Sequence, residues 1–287
     1  MIEQMAPPSD GGLSPALPLQ FQAAHDVARS RFREDPTKCY QRHIRDVWGE
    51  AENRFQLTSL ANARVERISK KEAESVILKY EWLQTMGRGV SACYGLKLDG
   101  ELLGANCFGV MGGKIGDICG PEYAKQTVCL MRGACAPHAP KNAGSFLTRW
   151  ACRQAYRDFG WQIFFAYSDA EAGEIGTIYQ ACGWYYVGSD LGRPSGSFHV
   201  DYQSPDGMII TSYKLNHQGT EKKFMRSLGW TPENAEMRPW LVAHGWKPIR
   251  RYGKKKWVWF EGSNKEKLKQ VCRYKFLPYP KRSESVQ

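Results

Sequence analysis

Two charged residues occur in apolar stretches that are expected to be buried, where a charged side chain needs a partner or a chemical role. Arg132 interrupts the apolar stretch VCLMRGACA, and Asp169 ends the apolar stretch FFAYSDA. A buried guanidinium is costly unless it pairs with a carboxylate or binds an anion, and strand ends in an open sheet deliver side chains to a cleft. The pattern leaves open a reactive cleft, a structural Arg132–Asp169 salt bridge, or Asp169 as the cap of the next helix.

The loop between these two strands, HAPKNAGS, has features of an anion site. It ends where an amphipathic helix begins, and backbone N–H groups at a helix start attract anions. The Ser145 hydroxyl can contact a bound group there or act as the N-cap. His138 and Cys135 have metal-like spacing, but two ligands do not make a site, and no metal is predicted. We assign substrate contacts to His138, Lys141, Asn142 and Gly144.

The surrounding pattern predicts a mixed sheet that positions these residues. A capping box starting at Ser69 begins a helix that we expect to end at Gly87. Asp99-Gly100 suits a type I′ hairpin, and a second hairpin turns around residues 204–207. Between them, residues 128–188 read as strand, loop, helix, strand, short helix and strand. The fold class is α/β (α+β), with a mixed central sheet flanked by helices.

Composition restricts the class of protein and its location. The chain has 287 residues, of which 42% are hydrophobic, and it contains no apolar run near the roughly 20 residues that span a bilayer. Its start lacks the regions of a secretory signal. Nine scattered cysteines fit reduced thiols better than a disulfide framework. We therefore expect a globular, cytoplasmic protein without a membrane partner.

Positive charge is concentrated at the C-terminal end of the chain. Residues 213–287 contain eighteen Lys and Arg against six Glu and no Asp, whereas the whole chain carries +11. Cations interleaved with aromatic rings suit nucleic acid, although a solvated basic face with a small aromatic core is the alternative. The residues predicted to contact nucleic acid are Arg250, Arg251, Lys254, Lys255 and Lys256.

Five sequence blocks carry a wider resemblance. They are KYEWLQTM (79–86), LLGANCFG (102–109), LMRGACAPHAPKNAGSFL (130–147), FAYSDAEAGEIGTIYQACGW (165–184) and FLPYPKR (276–282). Together they resemble the phage Mom family, a divergent group with a GNAT acyltransferase-like fold. The resemblance implies a DNA modification enzyme, an acyl-type transferase that converts adenine in DNA to N6-carbamoylmethyl (acetamido) adenine. In the host cytoplasm, this modification protects phage DNA from restriction.

The resemblance also implies catalytic roles for Arg132, Ser145, Asp169 and Tyr179. Asp169 can accept the proton of the exocyclic adenine amine or hold the Watson–Crick edge of the base. Tyr179 lies where GNAT enzymes often carry a general-acid tyrosine, and a tyrosine of the core is the alternative.

Tyr80, Glu81 and Trp82 form a second set at the end of the helix before the first hairpin. In a GNAT-like fold this helix borders the acceptor cleft, and chemistry on N6 in duplex DNA requires base flipping. An aromatic ring there can stack on the extruded adenine, and Glu81 is a candidate base. Core packing of the two aromatic residues is the alternative.

The acyl donor follows from the loop and from the product. GNAT phosphate loops read [QR]-x-x-G-x-[GA]. Here Lys141 takes the Gln/Arg place and Gly144 is the first Gly, but Phe146 replaces the second small residue and would crowd a pyrophosphate. A carbamoylmethyl group is attached through its CH₂, and a glycyl group has the same atoms. GNAT folds include aminoacyl-tRNA-dependent transferases, so glycyl-tRNA and a coenzyme A thioester are the two candidate donors.

Three segments are therefore expected. Residues 1–64 form an N-terminal extension, partly disordered and then helical, residues 65–215 form the GNAT-like catalytic domain, and residues 216–287 form a basic, aromatic-rich extension. The expected partners are double-stranded DNA and, with the first donor, tRNA. An N-acetyltransferase acting on a protein or small amine, and a non-catalytic DNA-binding protein on a GNAT scaffold, are the alternative functions.

Overall fold

The structure is a computed structural model of the 287-residue chain. Its described residues are 57, 59–81, 86–87, 89–110, 118–169, 174–189, 198–207, 209–210, 225–233 and 236–281. The predicted disorder and helices before residue 57 lie outside them. The described chain forms two compact units, one within residues 199–251 and one from residues 57–198 and 252–281. Residues 216–287 are thus divided between both units, and the limits of the three predicted segments stay a prediction.

The larger unit contains a mixed sheet with the strand order β1-β2-β3-β4-β5-β10-β6. Its strands are β1 (Arg64–Ile68), β2 (Val90–Leu98), β3 (Glu101–Gly109), β4 (Thr127–Cys135), β5 (Ile163–Ser168), β6 (Tyr185–Ser189) and β10 (Lys255–Phe260). The α-helices that lie wholly within the described residues are α1 (Lys70–Tyr80), α2 (Ala143–Phe159), α3 (Thr177–Cys182), α4 (Met237–Ala243, in the smaller unit) and α5 (Lys265–Val271). The predicted fold class is confirmed. No helix in the described residues is long and apolar enough to cross a membrane.

Strand β5 shows why helices flank the sheet. Phe164 and Ala166 belong to one core with residues of α1 and α2, whereas Ile163 and Phe165 belong to a second core with Leu268 of α5. Successive side chains of a strand point to opposite faces. A strand buried on both faces is apolar at almost every position, as IFFAYS is.

The first hairpin forms as the sequence predicts. Asp99 has a φ of 49° and Gly100 a φ of 87°, the pair of positive values that a type I′ turn requires. The turn aligns β2 with β3, and Cys93 pairs with Cys107 in the register.

Helix α1 starts where predicted and ends earlier than predicted. The Ser69–Glu72 capping box is present. The helix stops at Tyr80 rather than running to Gly87, because Glu81 takes an extended conformation with φ −85° and ψ 138°. Glu81 is 4% exposed, so the early end of the helix brings a carboxylate into the interior.

Strands β4 and β5 are parallel for a short distance and then separate. Their register covers Thr127 to Cys129 against Ile163 to Phe165. Beyond it, β4 bulges on its other side, since Leu130 pairs with Phe108 and Arg132 with Cys107, which leaves Met131 as an extra residue. A bulge bends its strand. The bend opens a cleft between the C-terminal ends of β4 and β5.

Strand β10 lies between β5 and β6 and pairs antiparallel with both. Trp257 is fully buried, and its Nε1 donates a hydrogen bond of 3.0 Å to the Ser168 Oγ. The aromatic residues Trp257, Trp259 and Phe260 of this basic segment therefore form part of the central sheet, in line with the alternative that assigned them to a core.

The smaller unit has a sheet with the order β8-β7-β9. Its strands are β7 (Phe198–Gln203), β8 (Ile209–Ile210) and β9 (Lys247–Tyr252). The second predicted hairpin is confirmed, because β7 and β8 pair antiparallel and the Gly207 N–H donates to the Ser204 carbonyl at 3.0 Å. Its core includes Trp230, Trp240 and Trp246.

Candidate active site

A pocket lies where β4 and β5 separate. It encloses about 640 Å³ of empty space, a volume that includes its open mouth. Its lining residues are Glu81, Cys129, Leu130, Met131, Arg132, Gly133, Tyr167, Asp169, Glu174, Tyr179 and Lys254. The cleft therefore gathers three carboxylates, two cationic side chains and two phenols.

Asp169 directly follows β5 and is 3% exposed. Two hydrogen bonds join it to Glu174. The Asp169 N–H donates to the Glu174 Oε2 at 3.3 Å, and the Glu174 N–H donates to the Asp169 carbonyl at 2.9 Å. Glu81 reaches the same pocket from the end of α1. Sequence analysis predicted Asp169 and Glu81 at the site and missed Glu174.

Glu174 differs from an ordinary carboxylic acid. Removal from water raises its pKa to about 8, and the charges of Glu81 and Asp169 act in the same direction, while the Asp169 N–H and Lys254 act against it. Like charges in a confined site disfavour ionisation of one member. Glu174 is therefore protonated at neutral pH and can donate a proton.

Arg132 and Lys254 supply the positive charge of the pocket. Arg132 follows the bulged residue of β4, and its Nη1 donates to the Met131 carbonyl at 2.6 Å. Lys254 directly precedes β10, so the inserted strand brings a cation to the cleft. Cations there can bind an anionic group or stabilise negative charge that develops on a substrate oxygen.

Tyr179 was predicted either at the site or in the core, and the structure places it in both, because it lines the pocket and packs in the core. Its ring lies 5.1 Å from that of Trp184 and 5.7 Å from that of Trp257. Burial raises the pKa of its phenol well above the usual value, and the negative charge that Glu174 acquires above its own pKa raises it further. The hydroxyl therefore keeps its proton and serves as a hydrogen-bond donor.

The start of α3 fixes where Tyr179 lies. Gly176 has a φ of 72°, and a Cβ there would fall inside the indole of Trp257. We expect Gly176→Ala to lower the free energy of unfolding by about 2–4 kcal/mol, because it combines left-handed backbone with overpacking. Urea unfolding measures the loss.

Gly160→Ala is the matched control. Gly160 has a φ of 70°, and a Cβ there would meet no other atom within 4 Å, so its loss is confined to the backbone cost of about 1 kcal/mol. Equal losses for the two variants would contradict the packing of Trp257 on the start of α3.

The structure does not bring Ser145 to the pocket. Asn142, with a φ of 69°, is the N-cap of α2, so the N-cap role considered for Ser145 is wrong. The Ser145 hydroxyl donates to the Asn142 carbonyl at 3.0 Å. Its predicted catalytic role has no support from this placement.

Other residues of the loop also have structural roles outside the pocket. The His138 Nε2 lies 2.9 Å from the Glu101 Oε1. At Gly144 a Cβ would lie 3.1 Å from the Ile178 Cδ1, so a small residue permits α2 to pack on α3. Lys141 and Asn142 are exposed. The Phe146 ring packs against the main core and lies 6.1 Å from the Trp150 ring.

The structure separates Glu81 from Tyr80 in the second predicted set. Glu81 lines the pocket, whereas Tyr80 is 6% exposed and belongs to the main core, with the Lys79 Nζ 4.7 Å from its ring centroid. Its placement fits core packing rather than stacking on a base. Trp82 lies outside the described residues.

Two of the five residues predicted to contact nucleic acid are buried in the structure. Arg251 is 3% exposed and its Nε donates to the buried Asp201 carboxylate at 3.2 Å. Lys256 is 6% exposed and its Nζ donates to the Tyr274 hydroxyl at 3.0 Å. Because burial removes these two cations from solvent, their assignment to an external phosphate surface has no support from this placement. Lys254 lines the pocket, and the predicted contacts of Arg250 and Lys255 stay predictions.

No group of three His, Cys, Asp or Glu side chains in the described ranges has the geometry to hold a metal ion.

Comparison with known proteins identifies the family. The Mom protein family matches residues 62–281. The chain belongs to this family. The comparison with curated proteins gives no match.

Among solved structures, several acetyltransferases are similar to this Mom family member. An IAA acetyltransferase from Bacillus cereus is 16% identical, with a TM-score of 0.35, covering 69% of this chain and 99% of its own. A Bacillus subtilis acetyltransferase in complex with CoA is 15% identical, with a TM-score of 0.35, covering 70% and 99%. A GNAT family acetyltransferase from Elizabethkingia anophelis with acetyl-CoA bound is 11% identical, with a TM-score of 0.35, covering 70% and 99%.

Proposed function

We propose that this protein transfers an acyl-type group to N6 of adenine in double-stranded DNA and yields N6-carbamoylmethyl adenine. The observation that carries the proposal is the buried Asp169, which shares a pocket with two cations and a protonated acid in a chain of the Mom family. The pocket is recessed between two strands of the sheet. An adenine must therefore leave the duplex to reach it.

The first step is acyl transfer. N6 of adenine attacks the carbonyl carbon of the donor, and the carboxylate of Asp169 accepts the proton that N6 loses. Arg132 and Lys254 stabilise the negative charge that develops on the carbonyl oxygen. The bond from the carbonyl carbon to the leaving oxygen or sulfur breaks, and protonated Glu174 or the Tyr179 hydroxyl donates the proton that the leaving group takes up.

The second step explains how the group becomes attached through its CH₂. With a glycyl donor, the first product is N6-glycyl adenine. Its free amine attacks C6 of the ring, the bond from C6 to the original N6 breaks, and that nitrogen leaves as the terminal amide. No atoms or electrons enter or leave in this rearrangement. An acetyl group lacks the required nitrogen, so a coenzyme A thioester needs a nitrogen-bearing acyl group.

Expression in bacteria should add one C₂H₃NO unit to a fraction of the deoxyadenosine and make the DNA resistant to several restriction enzymes. The measurement is mass spectrometry of nucleosides from digested DNA. Soluble protein that leaves no shifted adenine nucleoside would overturn the proposed function.

The same assay distinguishes the two donors. In a purine-auxotrophic host fed unlabelled adenine, glycine labelled on both carbons and on nitrogen should place the two labelled carbons in the carbamoylmethyl group and the labelled nitrogen at N6 of the modified nucleoside. Label confined to carbon, or no label from glycine, would exclude the glycyl donor while leaving adenine modification intact.

A further inference from the structure

The exposed side of α2 carries a stripe of arginines and aromatic rings. At about 3.6 residues per turn, Phe146, Arg149, Trp150, Arg153 and Arg157 fall within an arc of about 100°. The three arginines and Trp150 are exposed. From Arg149 to Arg157 the stripe extends about 12 Å along the helix axis, so its three arginines can contact successive phosphates of one nucleic-acid strand. We call these five residues the α2 face.

Among the described residues, no acid forms an ion pair with the arginines of the α2 face. The acid of the same helix, Asp158, accepts hydrogen bonds from the Tyr94 hydroxyl at 2.8 Å and from the Gln154 Nε2 at 2.9 Å.

Trp150 is held in place although it is exposed. Its ring is 39% exposed, the Phe146 ring lies 6.1 Å away, and the Arg153 guanidinium lies 5.2 Å from its centroid. A fixed, solvent-facing indole beside a row of guanidinium groups is the combination that binds unpaired nucleotides, with bases on the ring and phosphates on the cations.

We propose that the α2 face docks an unpaired segment of an RNA. A duplex fits it less well, because its bases are stacked inside the helix and cannot lie on the Trp150 ring. Helix α2 packs on α3, where the Cys182 Sγ of α3 donates to the Ser145 carbonyl of α2 at 3.3 Å. Helix α3 also carries Tyr179, which lines the pocket. The unpaired aminoacyl end of a donor tRNA is the natural occupant, and this identification rests on the proposed function.

Binding can be tested on the full chain with three labelled probes: an RNA hairpin with an unpaired 3′ tail of about four nucleotides, the same hairpin with a blunt end, and a DNA duplex. Trp150→Ala should weaken binding of the tailed hairpin about tenfold or more, the scale of one base stack, and leave the other two unchanged. Replacing Arg149, Arg153 and Arg157 by Gln should weaken the tailed hairpin at least about tenfold. It should also reduce its log–log salt slope by about 2, at about 0.7 per phosphate.

The matched control replaces Arg64, Lys70 and Lys71 by Gln, because these residues are exposed and lie on β1 and α1 of the same unit. It should leave binding of the tailed hairpin unchanged. Equal losses in the control, equal losses for all three probes in the α2 variants, or no loss at all would each overturn the proposal. RNA binding as expected without modified adenine would refute the proposed function alone, and modified adenine without tail-dependent binding would refute the α2 face alone.

Discussion

Asp169→Asn should lower the rate of adenine modification at least about 100-fold, the usual scale of an acid–base contribution. The carboxylate is 3% exposed and lines the pocket with two cations and Glu174. An amide of nearly the same shape keeps the contacts of the loop but cannot accept a proton from N6. Nucleoside mass spectrometry over a time course, normalised to soluble protein, measures the rate.

Asp158→Asn is the control for the loss of a carboxylate that accepts hydrogen bonds elsewhere in the same unit. Its partners are Tyr94 and Gln154, outside the pocket. This variant should modify adenine at the normal rate per folded molecule. If Asp169→Asn also retained its activity, Asp169 would be reduced to the structural role of holding Glu174.

Local sequence patterns were sufficient for the parts of the fold that local physics determines. The Asp99-Gly100 turn follows from the backbone freedom of its two residues, and the start of α1 follows from the Ser69–Glu72 capping box. Asp169 was predicted at the cleft because it ends an apolar strand. Each inference needed no residue more than a few positions away.

The insertion of β10 between β5 and β6 could not be predicted from local sequence patterns. Its aromatic residues and valine, in the run WVWF, suit a strand, but nothing near it in the chain indicates that it pairs with β5 and β6. For the same reason sequence analysis assigned Lys254 to nucleic acid and missed its place in the pocket. The burial of Arg251 and Lys256 likewise depends on Asp201 and Tyr274, which lie in other elements.

Glu174 was missed because its chemistry is not a property of its own segment. Its raised pKa comes from removal from water and from Glu81 and Asp169, and Glu81 precedes it by more than ninety residues. The one signal available in the sequence was an acidic residue five positions after Asp169, between a strand and a short helix. Burial in the folded pocket, together with the approach of the other two carboxylates, makes it a proton donor.

Glu174→Gln should therefore lower the rate at least about 100-fold near neutral pH, where the wild-type acid, with a pKa of about 8, is protonated. The amide still donates a hydrogen bond but cannot release a proton. In the wild type the rate should fall as the pH rises through about 8, because the donor form is lost. In the variant this part of the pH profile should be flat.

Stability gives a second readout of the same group that does not depend on activity. The pKa of Glu174 is about 8 in the folded protein, against an ordinary value of 4.5, so the folded state holds the proton more tightly than the unfolded state. Its contribution to the free energy of unfolding is fully present below pH 4.5 and is lost as the pH rises through about 8. Urea unfolding across this window should show a decline in the wild type that Glu174→Gln lacks. Parallel pH profiles for the two proteins would mean that Glu174 is already ionised at neutral pH, and the proton for the leaving group would then have to come from Tyr179.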